Sequence, residues 1–164
     1  MTEIAIEFND QQVQRALDEL INRVEDPRLA MRAIAGVLED ASEEAFRSES
    51  DPATGIAWAP LSPDTTLARR PDREGGSILQ DSGLLAVSIV SDYGPDYAEV
   101  GSNRPYAPTH QFGAQQGEFG TTSRGGPIPW GDIPARPFLG IGPEDEQEIL
   151  DIASRFLAGA FTDE

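Results

Sequence analysis

The sequence predicts an α+β fold in which a small antiparallel sheet packs against three amphipathic helices, with long irregular loops between them. Three features of the 164 residues support this. Helical stripes of apolar residues occupy both ends of the chain, and two runs of β-forming residues lie near its middle. Most of the 13 prolines and 16 glycines fall between these regular parts, within residues 51–143. Such elements bury their apolar faces against one another around a common core.

The N-terminal part of the sequence predicts one strand and two helices. Alternating apolar residues predict a strand over residues 3–8. Apolar residues at helical spacing predict helices over about 10–25 and 27–47. The second helix begins at Asp26 and Pro27, a cap followed by proline at the first helical position. The two helices are therefore expected to form a hairpin with a shared core.

The C-terminal half predicts a hairpin, a further strand and a third helix. Residues 81–85 are typical of a short capped helical turn, and the runs 87–91 and 96–101 flank a turn and predict an antiparallel hairpin. Residues 138–141 form a short apolar run that predicts a strand. The last helix, over about 144–160, opens with acidic residues at its positive end.

Two proline- and glycine-rich segments, 49–77 and 113–135, are predicted to be irregular arms. Long loops within a compact domain are usually functional or become ordered on binding. Trp58 and Leu61 are expected to anchor the first arm, because a large aromatic side chain in a polar loop usually packs onto something. We find no internal repeat or low-complexity linker and predict a single domain over residues 1–164.

The charge of the chain argues against nucleic-acid binding. There are 29 acidic and 12 basic residues, a net charge of −17 at pH 7, and every basic residue is an arginine. Recognition of a phosphate backbone needs clustered basic residues, whereas these arginines are scattered among acidic neighbours. Sequence-specific binding of DNA or RNA is therefore not expected, although solubility alone also accounts for an acidic surface.

The sequence contains no recognisable catalytic or metal site. There is no cysteine, which excludes disulfides and thiolate ligands, and His110 is the only histidine. No EF-hand spacing or complete phosphate-binding loop is present. We therefore predict no catalytic, metal or cofactor-binding residue and no enzymatic activity. No signal peptide is visible, and no run approaches the roughly 20 apolar residues that span a membrane.

Five short blocks follow one another along the rest of the chain. They are Gly55-Ile56-Ala57-Trp58-Ala59-Pro60-Leu61-Ser62 with Thr65-Thr66-Leu67, Ile78–Leu85, Val100-Gly101-Ser102, Tyr106–Gly113 and Ile133–Gly140. In this order and at these spacings they resemble the phage virion morphogenesis family, which includes Mu-like head morphogenesis and P2-like tail completion proteins. The resemblance covers roughly residues 40–160.

The resemblance implies a structural virion protein at the head–tail junction, acting in tail completion, as a tail terminator or as a neck ring. It implies a homo-oligomeric ring, taken to be a hexamer, that meets head-connector and tail-tube proteins and is assembled in the host cytoplasm. DNA would pass through such a ring, and an acidic lumen would repel it. The family supplies no catalytic residue to carry over.

Seven residues of these blocks are candidate packing or interface anchors: Trp58, Leu61, Tyr106, His110, Phe112, Arg136 and Phe138. Tyr106 and Phe138, like Trp58, are expected to be largely buried, within the monomer or across a subunit boundary. Arg136 is suited to hold a carboxylate with two parallel hydrogen bonds. For each residue, ordinary packing within the monomer is at least as good an explanation as an interface contact.

Two other function classes are compatible with the sequence. An acidic DNA mimic that occupies a DNA-binding protein fits the net charge, but it does not require the long apolar helices or the proline-rich arms. A small hydrolase is supported only by His110, whose partners in a catalytic triad cannot be identified from the sequence.

Overall fold

Three helices and a two-stranded antiparallel sheet form the regular structure of the part of the chain that the computed structural model describes, residues 26–63, 65 and 76–158. The elements are α1 (Arg28–Ser48), a 3-10 helix (Ala86–Ser88), β1 (Ile89–Tyr93), β2 (Ala98–Ser102), α2 (Ala107–Phe112) and α3 (Pro143–Ala158). They confirm the predicted α+β class. The predicted strand and helix of the first 25 residues lie outside the described residues, as do the last two positions of the predicted C-terminal helix.

Helix α1 is the central element of the described structure and agrees with its prediction to within one residue. Its buried residues are Ala30, Ala35, Val37, Ala41, Ser42, Ala45 and Phe46, whereas Leu29 in its first turn is 75% exposed. Pro27 is the N-cap residue itself, and Asp26 Oδ1 accepts a hydrogen bond from the Arg28 N–H at 3.4 Å. At the other end Glu49 takes a left-handed conformation with φ 53°. Its carboxylate accepts the Ile78 N–H at 2.7 Å, which holds residue 78 beside the helix end.

The antiparallel hairpin is confirmed, with β1 shifted toward the C-terminus. The register pairs Ile89 with Ser102 and Tyr93 with Ala98, so the turn, residues 94–97, lies two residues further along the chain than predicted. Residues 86–88 form the 3-10 helix instead of the strand start, because the Ser88 N–H and Oγ both bond to the Leu85 carbonyl. Helix α1 packs on both strands.

The predicted strand at residues 138–141 is wrong. The N–H groups of Phe138 and Leu139 both donate to Oε1 of Gln111, each at 3.0 Å, and Gln111 Nε2 donates to the Leu139 carbonyl at 2.8 Å. A side-chain amide thus replaces the neighbouring strand as hydrogen-bond partner. Proline at position 137 has no N–H to continue a ladder, which also disfavours a strand here.

Residues 107–112 form the short helix α2. Pro108 lies in its first turn, where a missing N–H costs nothing. The helix ends at Gly113, whose φ of 78° is disfavoured for other residues. Gly83, with φ 71°, also takes a conformation that favours glycine.

Residues 113–135, named the arm below, form an irregular hairpin. Ala114 and Ile133 exchange two backbone hydrogen bonds at its base, of 2.9 and 2.8 Å. Further along, the Ile128 N–H donates to the Gly120 carbonyl at 2.8 Å, and the Thr122 N–H to the Gly126 carbonyl at 2.8 Å. The arm is therefore held along most of its length, although its glycines and prolines prevent regular strands.

The core lies where the C-terminal part of α1 packs against segments that precede and follow the hairpin in the sequence. The ring of Phe46 lies 5.8 Å from that of Trp58 in an edge-on arrangement and 5.3 Å from that of Phe138. Trp58 Nε1 donates to the Pro137 carbonyl at 2.7 Å, so the one polar atom of its ring is satisfied. Helix α3 packs against the same α1, and Asp145 Oδ2 accepts the Gly142 N–H at its start, at 2.8 Å.

Candidate functional site

A half-open cavity of about 480 Å³, named the central cavity, lies beside the base of the arm. Its apolar wall includes Leu61, Leu79, Leu85 and Ile133, and its polar groups include Tyr106, His110 and Arg136. Two carboxylates, Asp81 and Asp132, line it as well, and both belong to exposed residues. A cavity of this size with apolar walls and a few polar groups suits a side chain or a short segment of a partner.

Arg136 joins two distant parts of the chain at the inner wall of this cavity. The residue is only 6% exposed; its Nε donates to the Ala59 carbonyl at 2.8 Å and its Nη2 to the Pro60 carbonyl at 2.9 Å. No carboxylate of the described residues forms an ion pair with it. The expected bidentate carboxylate partner is therefore absent from this part of the chain, and two backbone carbonyls take its place. Burial lowers the pKa of the guanidinium.

His110 lies next to Arg136 and is half-buried. Its carbonyl accepts the Arg136 N–H at 2.7 Å, and its ring lies edge-on to Tyr106, with centroids 5.9 Å apart. The buried Nδ1 has no hydrogen-bond partner among the described residues. Burial, and then the charge of Arg136, lower the pKa of His110 and favour the neutral ring. No serine, threonine or carboxylate in the described part of the chain hydrogen-bonds to this ring, so the geometry gives the hydrolase hypothesis no support.

The seven predicted anchors separate into three groups. Trp58 and Phe138 are buried in the core, and Arg136, His110, Leu61 and Tyr106 line the central cavity. Tyr106 is 39% exposed, so it is not largely buried within this chain. Phe112 is 77% exposed in the described part of the chain. Gln111, which organises residues 138–139, was not singled out by the sequence analysis, and only its place between two candidate anchors hinted at it.

The arm presents aromatic side chains to solvent. Trp130 is 77% exposed, Phe119 is also exposed, and Phe112 lies next to the base of the arm. Neither Trp130 nor Phe119 was among the predicted anchors. The rule that selected Trp58, a large aromatic in a proline- and glycine-rich segment, applies equally to Trp130 and would have found it. Exposed aromatics on an ordered element are a common feature of interaction surfaces.

The hairpin carries a compact group of acids. The register places Asp92 directly opposite Glu99, and like charges in this position destabilise a sheet. The hydroxyl of Tyr97 donates to Asp92 Oδ2 at 2.9 Å, and this hydrogen bond, with the charge of Asp92, raises the pKa of Tyr97. Because the pairing of Asp92 with Glu99 lowers the stability of the hairpin, it favours a functional use of the negative charge on this face.

Two other kinds of site are not found in the described residues. No group of three His, Asp or Glu side chains there is arranged to hold a metal ion. None of the helices in that part of the chain is both long and apolar enough to cross a membrane.

Comparison with known proteins identifies the family. The sequence model of the phage virion morphogenesis family matches residues 8–158, nearly the whole chain. The chain belongs to this family. The resemblance inferred from the five sequence blocks is therefore confirmed, and so is a phage structural or assembly role in general terms.

Relatives in this phage virion morphogenesis family match the chain over most of its length. The putative capsid assembly protein G of Escherichia phage Mu is 41% identical over 150 residues, which cover 90% of each chain. The Mu-like prophage FluMu G protein 2 of Haemophilus influenzae is 36% identical over 149 residues, covering 90% of this chain and 91% of the relative. The FluMu G protein 1 of the same organism is 35% identical over 157 residues, covering 94% and 95%. No solved structure matches the chain.

Proposed function

We propose that this protein is a structural subunit of the head–tail junction, which closes a ring of copies and joins head-connector to tail-tube proteins. The observation that carries the proposal is the arm, an ordered hairpin that holds Trp130 and Phe119 in solvent. Together with membership of a virion morphogenesis family, such an arm supports a protein that acts through its contacts.

The energetics of the arm favour association. An exposed tryptophan and phenylalanine contribute large apolar areas when they are buried, about 25 cal/mol for each Å² removed from water. A chain with a net charge of −17 repels its own copies at long range. Association therefore needs local apolar contacts strong enough to offset that repulsion, and exposed aromatics on a fixed hairpin provide them.

The same structure favours a role without turnover. The cavity that contains His110 is lined mostly by apolar groups, and no residue in the described part of the chain bonds to the His110 Nδ1 atom to orient the ring as a base. A cavity of this kind suits a docked side chain better than a reacting substrate. We propose that the protein is not an enzyme.

The acidic hairpin supports a second element of the proposal, an acidic channel. Asp92, Asp96 and Glu99 lie together on or beside the two strands. If this face lines the lumen of the ring, its charge repels the DNA backbone and keeps the duplex free to move along the axis. Without lysine and with few arginines, the ring carries negative charge in excess.

Electron cryo-microscopy of the intact particle tests this proposal. We expect a closed ring of this chain, six copies by the resemblance, between connector and tail tube, with the Asp92 and Glu99 carboxylates toward the axis. A chain found only in head precursors and lost from the finished particle would contradict the junction location and favour a capsid assembly factor. A lumen lined mainly by arginines would contradict the acidic channel. Recovery of the chain bound to a host DNA-binding protein, and not in particles, would favour the DNA-mimic alternative.

A further inference from the structure

We infer that the arm of one copy docks into the central cavity of a second copy, so that each chain supplies both halves of the contact. The inference rests on the proposed function, because it says how the copies of a ring recognise one another. It commits to a second copy of this chain as the occupant of the cavity.

The arm is suited to insertion. Its paired backbone fixes its shape before binding, which lowers the entropy cost of docking. The arm exposes Phe119 and Trp130, and neither ring lines the chain's own central cavity, to which the arm contributes only Asp132, Ile133 and Pro134 at its base. The aromatic part of the arm therefore lies away from its own cavity and is available to another.

The charges of the two surfaces are complementary. Between Phe119 and Gly131 the arm contains one charged residue, the exposed Arg124 near its tip. The central cavity has an apolar wall and two carboxylates from exposed residues, Asp81 and Asp132. The part of the arm from Phe119 to Gly131, which is cationic and aromatic, thus meets an apolar cavity bordered by acids. The arm's own acids, Glu118 and Asp132, lie nearer its base. Two copies of a chain with a net charge of −17 repel each other overall, but at this contact their opposite charges attract.

Arm and cavity are different surfaces, so the contact is head-to-tail. Such a contact leaves one free arm and one free cavity on every pair, and a series of copies either closes into a ring or grows as a filament. A two-fold dimer, in which arms meet arms, would leave the cavities empty.

The absence of cysteine allows a direct test by site-specific cross-linking. Thr121→Cys places an exposed thiol two residues from Phe119, and Ser82→Cys places one at the cavity. Both positions are on the described surface, and Ser154→Cys on the exposed side of α3 is a matched control for Ser82→Cys. The proteins are mixed in pairs and treated with a short bis-maleimide.

We expect the Thr121→Cys and Ser82→Cys mixture to form dimers at least about tenfold faster than the mixture with Ser154→Cys, and faster than either variant alone. Adding Trp130→Ala to the Thr121→Cys chain should reduce the yield at least about tenfold, as expected for a central aromatic contact. Arg124→Glu should also lower the yield of cross-linked dimer. The reduction should be larger in low salt than in high salt, because salt screens the charges. Since Trp130 and Arg124 are exposed, unchanged circular dichroism and melting would show that these variants remain folded.

Equal yields for Ser82→Cys and Ser154→Cys, or a dominant Thr121–Thr121 product, would overturn the inference. The proposed function is tested separately, by the position of the wild-type chain in the particle. A chain located at the junction whose arm does not cross-link to the cavity would refute this contact and leave the function standing. A chain that cross-links as expected but is absent from the junction would support this contact and contradict the proposed function.

Discussion

Replacing Phe138 by alanine should lower the free energy of unfolding by about 3–5 kcal/mol, the usual cost of removing a buried phenylalanine ring. Phe138 is fully buried, and its ring packs on Phe46, which in turn packs on Trp58. The cavity left behind cannot collapse easily, because Gln111 fixes the backbone of residue 138 through its side-chain amide. Urea unfolding followed by tryptophan fluorescence measures the change.

Phe112→Ala is the matched control for this experiment. It removes the same ring from a side chain that is 77% exposed, so the free energy of unfolding should change by less than about 0.5 kcal/mol. Similar losses for the two variants would contradict the assignment of Phe138 to the core. A stable Phe112→Ala chain that assembles poorly would indicate that Phe112 acts at an interface.

Replacing Gly113 by alanine should destabilise the chain by about 3 kcal/mol or displace the arm. With φ 78° and ψ 179°, Gly113 lies in a backbone region that is essentially restricted to glycine, at a cost of about 1–3 kcal/mol for other residues. An added Cβ would also lie 2.8 Å from the Ile133 carbonyl oxygen and 2.9 Å from the Ala135 nitrogen. Both are backbone atoms at the base of the arm, so they cannot rotate away.

Gly125→Ala separates the cost of backbone strain from the cost of the Cβ collision. Gly125 has φ 80° but nothing within 4 Å of an added Cβ, so alanine there adds backbone strain of about 1–2 kcal/mol without a collision. Thermal unfolding of both variants measures the difference, and hydrogen exchange at Ala114 and Ile133 reports on the base of the arm. Equal losses would show that the close approach at Gly113 is unimportant.

The sequence was informative where the pattern is local. The helical stripe predicted α1 almost to the residue, acidic residues before an apolar stripe predicted α3, and two β-forming runs around Gly94 predicted the hairpin. The start of β1 was predicted two residues too early, because Ser88 bonds back to the Leu85 carbonyl and residues 86–88 form a 3-10 helix. Such a choice between two local hydrogen-bond partners is not visible in an alternation of apolar and polar residues.

The predictions failed where the deciding contact is distant in sequence. The apolar run at 138–141 looked like a strand, but the amide of Gln111, 27 residues earlier than Phe138, takes its hydrogen bonds. Arg136 is suited to hold a carboxylate, but in the described structure its guanidinium binds carbonyls 76 and 77 residues away. The backbone hydrogen bonds within the arm could not be predicted, because glycine and proline interrupt the alternation of apolar and polar residues that marks strands.

The most direct measurement of the central claim, that this protein acts by assembling and not by turnover, is a titration of particle completion. An extract from cells infected with a phage that lacks this gene is mixed with increasing amounts of the purified chain, and infectious particles are counted. A structural ring subunit should be consumed: particles should rise with added protein and reach a plateau at a fixed number of chains per particle, with those chains recovered in the purified particles. His110→Ala should give the same titration as the wild-type chain if it folds normally. Completion of many particles by each added chain, with none retained in them, would contradict the account.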